Sequence, residues 1–288
     1  MSFNPFSGGV SLWDREGFFE NDHLKLRYLE KGKGEPVILL HGFGDAAEVW
    51  EFILPHLEGP FRFIALDQRG HGKSDRAHLE RYTTFDFVSD IEALRKTLNL
   101  GKLTLIGHSM GGRNAIVYSS NYQEAVKKLI VIDYAPELSE KGRRRILSAL
   151  RTRPDKFHLD EMAEALMEEN PRISYEKALS YLKKVTMPRD DGLFEWLCDI
   201  RLIHKMKEGK RVLRDVNLWD FLSNLKMPTL FVRGEESDLV EREVLEKVVS
   251  LIPKARVVEV QKAGHAVPLD NPEETAQAIN KFLLCECF

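Results

Sequence analysis

The sequence predicts an α/β fold in which helices cover a mostly parallel β-sheet and a helical lid is inserted into it. Two observations predict this class. Short, wholly apolar runs alternate with helical patterns over most of the chain, and one long stretch contains helical patterns only. Wholly apolar runs are typical of strands buried on both faces, and their alternation with helices is typical of parallel sheets.

Six apolar runs predict the buried strands. They are residues 36–40, 61–67, 103–107, 128–133, 227–234 and 255–260. Ahead of them, two alternating segments flank Asn21 and Asp22, and they predict a β-hairpin.

Helical spacing of apolar residues fills the gaps between these runs. In residues 82–100, Thr83 and Asp86 have the spacing of a capping box. Further helices are predicted at 111–122 and 242–253, and Asn271 with Pro272 marks the start of the last one.

The alternation stops between about residues 135 and 216, where the sequence contains no strand pattern. We therefore predict a core formed by residues 1–134 and 217–288, with residues 135–216 as a cap. A helical stretch of the core is the alternative. Prolines separate the four helices predicted in the cap, which are residues 139–152, 159–170, 174–185 and 192–209.

Charge and composition exclude several classes of function. The chain has 288 residues, and its 42 Lys and Arg against 45 Asp and Glu give a formal net charge of −3. This balance gives no reason to expect nucleic acid or an anionic membrane as a partner. The one basic run, residues 141–145, is typical of a solvated helix face rather than of a binding patch.

Cysteine usage and the N-terminal segment predict a cytoplasmic protein. Cys198, Cys285 and Cys287 are odd in number and lack the spacing of zinc ligands, so neither a disulfide framework nor a metal site is expected. The first residues show no secretory signal. No apolar run approaches the ~18 residues that a membrane helix needs.

The motif Gly-His-Ser-Met-Gly at residues 107–111 is the strongest chemical signal. It follows a predicted buried strand and precedes a predicted helix, which is the context of a nucleophilic serine on a sharp turn. Ser109 would then stand above the carboxyl ends of the strands, where open α/β sheets bind ligands. The alternative is a serine that only helps to cap the helix.

A serine nucleophile needs a base and an acid. His265 follows the last predicted strand and is the candidate base, since imidazole titrates near neutral pH. Asp238, in the loop after the strand at 227–234, is the candidate acid that orients the imidazole. Asp133 is the runner-up, and Glu235 and Glu236 are weaker candidates.

The glycines of residues 41–45, His-Gly-Phe-Gly-Asp, would let a backbone N–H face the serine. We predict that the N–H groups of Phe43 and Met110 form an oxyanion hole. Such donors stabilise charge that develops only in the transition state.

Five segments together resemble the α/β-hydrolase superfamily. They occur in the expected order and read LLHGFGD, ALDQRGHGKSD, LIGHSMGG, RGEESDLV and AGHAVPLDNPE. The resemblance implies an eight-stranded, mostly parallel sheet, a cap over the site, and a triad on whose positions Ser109, Asp238 and His265 fall. Within the superfamily, haloalkane dehalogenases and epoxide hydrolases use Asp where this chain has Ser109, which disfavours both.

We expect a carboxylic ester hydrolase that needs no metal or organic cofactor and acts on short to medium acyl esters. Phe194 and Trp196 of the cap are the predicted pocket walls. We expect the enzyme to bind a small-molecule ester and to bind neither nucleic acid nor a membrane. A homo-oligomer is possible. A lactonase, a thioesterase, a C–C bond hydrolase, an acyltransferase or a side perhydrolase activity would use the same triad. A non-catalytic receptor or scaffold is the alternative from another class.

Overall fold

An eight-stranded sheet forms the centre of the computed structural model, which describes residues 11–209 and 215–285. The strand order is β1-β2-β4-β3-β5-β6-β10-β11, and β2 alone runs against the other strands. The predicted hairpin and the six predicted strands are these eight. Their bounds are β1 Arg15–Asn21, β2 Leu24–Gly32, β3 Glu35–Leu40, β4 Phe61–Leu66, β5 Leu103–His108, β6 Val126–Ile132, β10 Thr229–Gly234 and β11 Ala255–Val260.

The hairpin forms because its two turn residues accept left-handed backbone angles. Asp22 and His23 have φ of 52° and 63°, and Asn21 pairs with Leu24 across the turn. A two-residue turn with both φ values positive matches the twist of the strands it connects.

Two hydrophobic clusters cover the two faces of the sheet. Neighbouring residues of one strand belong to different clusters, as Leu105 and Ile106 of β5 show.

The capping box of Thr83 and Asp86 begins α1 as predicted, and Asn271 caps α10. The core helices are α1 Thr84–Thr97, α2 Met110–Asn121, α7 Trp219–Leu222, α8 Arg242–Leu251, α9 Val267–Asp270 and α10 Pro272–Leu284. The described residues also contain the short 3-10 helices Ala47–Phe52, Leu54–His56 and Gln123–Ala125.

The inserted segment is mainly helical, but it also contains a small sheet that the sequence analysis missed. The order of this sheet is β7-β9-β8. The predicted helix at 192–209 is therefore wrong in its first half, because Phe194–Trp196 is a strand and the helix begins after the N-cap Asp199. The bounds are α3 Glu140–Thr152, β7 Lys156–Phe157, α4 Leu159–Glu169, α5 Tyr175–Val185, β8 Thr186–Pro188, β9 Phe194–Trp196 and α6 Ile200–Lys207.

The segment of residues 135–216, named the cap for its predicted role, has its own buried cluster, which includes Cys198, and it is hydrogen-bonded to the rest of the chain. The buried Asp199 accepts a hydrogen bond from Tyr82 Oη at 2.7 Å, and its own N–H donates to the carbonyl of Gly70 at 2.7 Å. Cys287 lies outside the described residues. Within the described ranges, no helix is long and apolar enough to cross a membrane, and no group of three or more His, Cys, Asp or Glu residues could hold a metal.

Candidate active site

Ser109 occupies a strained turn between β5 and α2. Its φ is 52°, a conformation that side chains with a Cβ rarely adopt. The turn is possible only because two neighbours lack a side chain. A Cβ on Gly107 would lie 2.3 Å from the carbonyl oxygen of Gly111, and one on Gly111 would lie 2.1 Å from that of Leu40. Strain of this kind clusters at functional sites.

His265 lies between the serine hydroxyl and a carboxylate. Its Nε2 is 3.0 Å from Ser109 Oγ, and its Nδ1 is 2.8 Å from Asp133 Oδ2. Because a carboxylate only accepts, Nδ1 carries a proton and Nε2 is free to accept the serine proton. The three side chains come from the carboxyl ends of β5, β6 and β11, as expected for a ligand site in an open α/β sheet.

Asp133 is held rigidly. Its side chain is fully buried. Its Oδ2 also accepts from Ser237 Oγ at 2.7 Å, and its Oδ1 accepts from the backbone N–H of Gly234 at 3.2 Å. A buried carboxylate needs such donors, since an unpaired buried charge is costly. Ser237 is a contact that the sequence analysis missed, because nothing in its local pattern links it to Asp133.

The expectation that Asp238 faces His265 is wrong in this structure. Arg145, on α3 of the cap, donates to both Asp238 oxygens at 2.7 and 2.8 Å. This guanidinium lowers the pKa of Asp238, with burial acting in the opposite direction. The runner-up Asp133 occupies the position against His265, whereas Asp238 joins the cap to the core.

The two predicted oxyanion donors lie on opposite sides of the serine in sequence. Met110 is the first residue of α2, so its N–H has no acceptor within the helix. Phe43 lies in the loop directly after β3, and its ring packs edge-on against His71 with centroids 5.5 Å apart. The role of both N–H groups stays a prediction.

A cavity of about 480 Å³ opens beside His265, between the core and the cap. Phe194 and Trp196, the predicted walls, do not line it. Trp196 is instead buried in the cap, where its Nε1 donates to the carbonyl of Pro154 at 2.8 Å.

The basic run at 141–145 is not simply a solvated face, because two of its residues reach the cavity. The cap residues that line the cavity include Lys141, Arg145, Leu166, Asn170, Arg172, Ile173 and Tyr181.

A family model described as the alpha/beta hydrolase fold matches residues 35–272. The chain belongs to this family. A 2-(acetamidomethylene)succinate hydrolase of Mesorhizobium japonicum is 31% identical over 261 residues, which cover 90% of this chain and 92% of the relative. A 2-hydroxy-6-oxo-6-(2'-aminophenyl)hexa-2,4-dienoic acid hydrolase of Metapseudomonas resinovorans is 29% identical over 274 residues, covering 93% and 90%.

Solved structures of this family resemble the chain over nearly its whole length. An alpha/beta hydrolase of Novosphingobium aromaticivorans has a TM-score of 0.82 and 25% identity, covering 96% of this chain and 99% of that one. The structure of an E-2-(acetamidomethylene)succinate hydrolase has a TM-score of 0.80 and 29% identity, covering 93% and 100%. Since its relatives are hydrolases, this chain is a hydrolytic enzyme of the same superfamily.

Proposed function

We propose that this hydrolase cleaves carboxylic esters through an acyl-enzyme on Ser109. One observation carries the proposal: His265 stands within hydrogen-bond distance of both Ser109 Oγ, at 3.0 Å, and the buried Asp133 carboxylate, at 2.8 Å. A serine hydroxyl becomes an effective nucleophile when a base accepts its proton and a third group orients the base. Asp133 takes the role that the sequence analysis gave to Asp238.

In the first half-reaction, Ser109 Oγ attacks the ester carbonyl carbon while His265 Nε2 takes the hydroxyl proton. Asp133 stabilises the imidazolium, and the N–H groups of Phe43 and Met110 bind the oxyanion. The C–O bond then breaks, and His265 protonates the departing alcohol. Water repeats the sequence against the acyl-enzyme, releasing the acid and restoring the Ser109 hydroxyl.

The cavity supports a small-molecule substrate, and we propose that its acyl chain is short to medium. Its volume of about 480 Å³ lies within the range of ordinary ligand pockets. A series of p-nitrophenyl esters of increasing chain length tests this preference. We expect butyrate and hexanoate to be cleaved fastest, and faster cleavage of long-chain esters would contradict the assignment.

Cleavage of a C–C bond next to a carbonyl is the second candidate. The M. resinovorans relative bears the name of a dienoic acid hydrolase, and its alignment covers 93% of this chain. The same Ser109 would attack a ketone carbonyl in place of an ester carbonyl. Assays with β-diketones, lactones and acyl thioesters beside the ester series would separate these activities.

Turnover of p-nitrophenyl butyrate by the Ser109→Ala variant tests the proposal. We expect the loss of essentially all enzymatic turnover with the fold retained. Ser119→Ala is the matched control, because Ser119 is buried on the same helix and its hydroxyl has no hydrogen-bond partner in the structure. Near-normal turnover by Ser109→Ala would contradict the proposal.

A further inference from the structure

Two polar side chains on the cavity wall face each other without bonding. Asp45 lies in the loop after β3, and His108 directly precedes Ser109. Both line the cavity, and their side chains are only 13% and 12% exposed. Asp45 Oδ2 lies 3.9 Å from His108 Nδ1, which is too far for a hydrogen bond between them.

The contacts of His108 fix which of its nitrogens carries the proton. Its Nε2 is 2.8 Å from the carbonyl oxygen of His265. A carbonyl only accepts, so Nε2 is the donor. Burial, followed by the nearby His265, lowers the pKa of His108, so the ring is neutral near neutral pH. Its Nδ1 therefore presents a lone pair towards Asp45.

The cap fixes Asp45. Tyr181, on α5, donates its hydroxyl proton to Asp45 Oδ1 at 2.8 Å. Burial and the neighbouring carboxylate raise the pKa of Tyr181, so the phenol remains a donor. With Oδ1 occupied, Oδ2 is the oxygen that faces His108.

Two acceptors thus stand 3.9 Å apart at the cavity wall, a spacing at which one N–H or O–H placed between them could bond to both. Three-centre hydrogen bonds, in which two acceptors share one N–H, are common at helix termini. We propose that Asp45 Oδ2 and His108 Nδ1 form a binding site for a hydrogen-bond donor of the substrate. The preferred substrates would then carry an amide N–H or a hydroxyl close to the scissile carbonyl.

The site lies next to His265, which also lines the cavity. The ring centre of His108 is 5.1 Å from that of His265, and His108 is bonded through the backbone to Ser109. The proposal therefore places the donor within a few bonds of the carbonyl that Ser109 attacks. The inference rests on the proposed function and adds the substrate class to it.

Two pairs of esters that differ only by N–H against CH₂ test the inference. In the first pair the acyl group varies: p-nitrophenyl N-acetylglycinate against p-nitrophenyl 4-oxopentanoate. In the second pair the alcohol varies: the butyrate of N-acetylethanolamine against the butyrate of 5-hydroxypentan-2-one. The readout is the ratio of kcat/KM for the N–H ester to that for its CH₂ analogue. Comparing this ratio between variants cancels the intrinsic reactivity of each ester.

Asp45→Asn is the diagnostic variant. The Asn carbonyl can keep the bond from Tyr181, but an NH₂ group then stands where Oδ2 stood, so the second acceptor disappears. We expect the ratio for at least one pair to fall about tenfold or more, since a hydrogen bond to a charged acceptor is lost. Tyr181→Phe, which frees Asp45 to turn away, should lower the same ratio by a smaller factor.

Asp160→Asn is the matched control. Asp160 also accepts from a cap tyrosine, Tyr175, at 2.9 Å, but the pair is exposed and does not line the cavity. We expect its ratios to equal those of the wild type. Unchanged ratios for both pairs in Asp45→Asn and Tyr181→Phe would overturn the inference while ester hydrolysis stands. Absence of Ser109-dependent turnover of all four esters would instead refute the proposed function.

Discussion

Replacing Asp133 by Asn removes a negative charge from a buried position where every contact of the carboxylate is defined. Oδ2 faces His265 Nδ1 and Ser237 Oγ, and Oδ1 accepts from the Gly234 N–H. If the Asn NH₂ group faces His265, it donates to Nδ1 and forces the proton onto Nε2. If the Asn NH₂ group is turned the other way, it faces the Gly234 N–H, and two hydrogen-bond donors then meet with no acceptor between them.

Both orientations of the Asn side chain are unfavourable, the first for catalysis and the second for stability. The first leaves His265 in the tautomer that cannot take the Ser109 proton, a change that lowers kcat by about 10⁴-fold in a comparable triad. That factor corresponds to about 5.4 kcal/mol in the activation free energy. The second leaves a buried donor unpaired, at a cost of about 1–3 kcal/mol of stability. We therefore expect Asp133→Asn to lose about 10³- to 10⁴-fold in kcat.

The assay is the steady-state kcat for p-nitrophenyl butyrate, with Asp238→Asn measured in parallel. Asp238 pairs with Arg145, whose side chain is 46% exposed, and such pairs contribute about 0–1 kcal/mol. We expect kcat of Asp238→Asn to stay within about threefold of the wild type. Thermal unfolding of both variants controls for loss of structure. A larger loss in Asp238→Asn than in Asp133→Asn would refute the reasoning.

Two further predictions concern stability, measured by urea unfolding. Burial, followed by the nearby His41, lowers the pKa of His71 to about 4. Because the unfolded chain binds this proton near pH 6.5, the free energy of unfolding falls as the pH drops below that value. Between about pH 7.5 and about pH 5, the wild type should lose about 2 kcal/mol more of this free energy than His71→Gln. Equal losses in the two proteins would contradict the prediction. Gly111→Ala should cost about 2 kcal/mol or more, because its Cβ would lie 2.1 Å from the carbonyl oxygen of Leu40. Gly101→Ala is the control, because no atom lies within 4 Å of the added Cβ, and it should change stability by less than about 1 kcal/mol. Similar losses of stability in both glycine variants would refute the steric argument.

The strands and the positions of Ser109 and His265 could be predicted because their signals are local. An apolar run that ends in a glycine-flanked serine needs no distant information, and β5 with α2 lies where the pattern indicated. The hairpin was also predicted from a local polar turn, but at Asn21 and Asp22, one residue too early: the residues with left-handed φ are Asp22 and His23, and Asn21 is paired with Leu24.

The acid could not be chosen from the sequence, because Asp133 and Asp238 follow adjacent strands of the same sheet, β6 and β10. What separates them is distant in sequence. Arg145 of the cap binds Asp238, and the left-handed φ of 48° at Asp133 is part of a turn that no local pattern marks.

The cap was the least predictable segment. Its strands are two or three residues long, which is too short for an alternating pattern to appear. Phe194 and Trp196 were predicted to line the pocket because they are apolar residues of a segment that was predicted to be helical throughout. As part of a strand, Trp196 packs inside the cap against Phe157, with ring centroids 4.7 Å apart.

The most direct test of the central claim is to identify the residue that becomes acylated. The enzyme is mixed with p-nitrophenyl butyrate, quenched in acid during the first turnovers, digested and mapped by mass spectrometry. We predict a butyryl group on Ser109 in the wild type and none on the corresponding peptide of Ser109→Ala. Butyrylation of any other residue during turnover, or turnover with no adduct that depends on Ser109, would contradict the account.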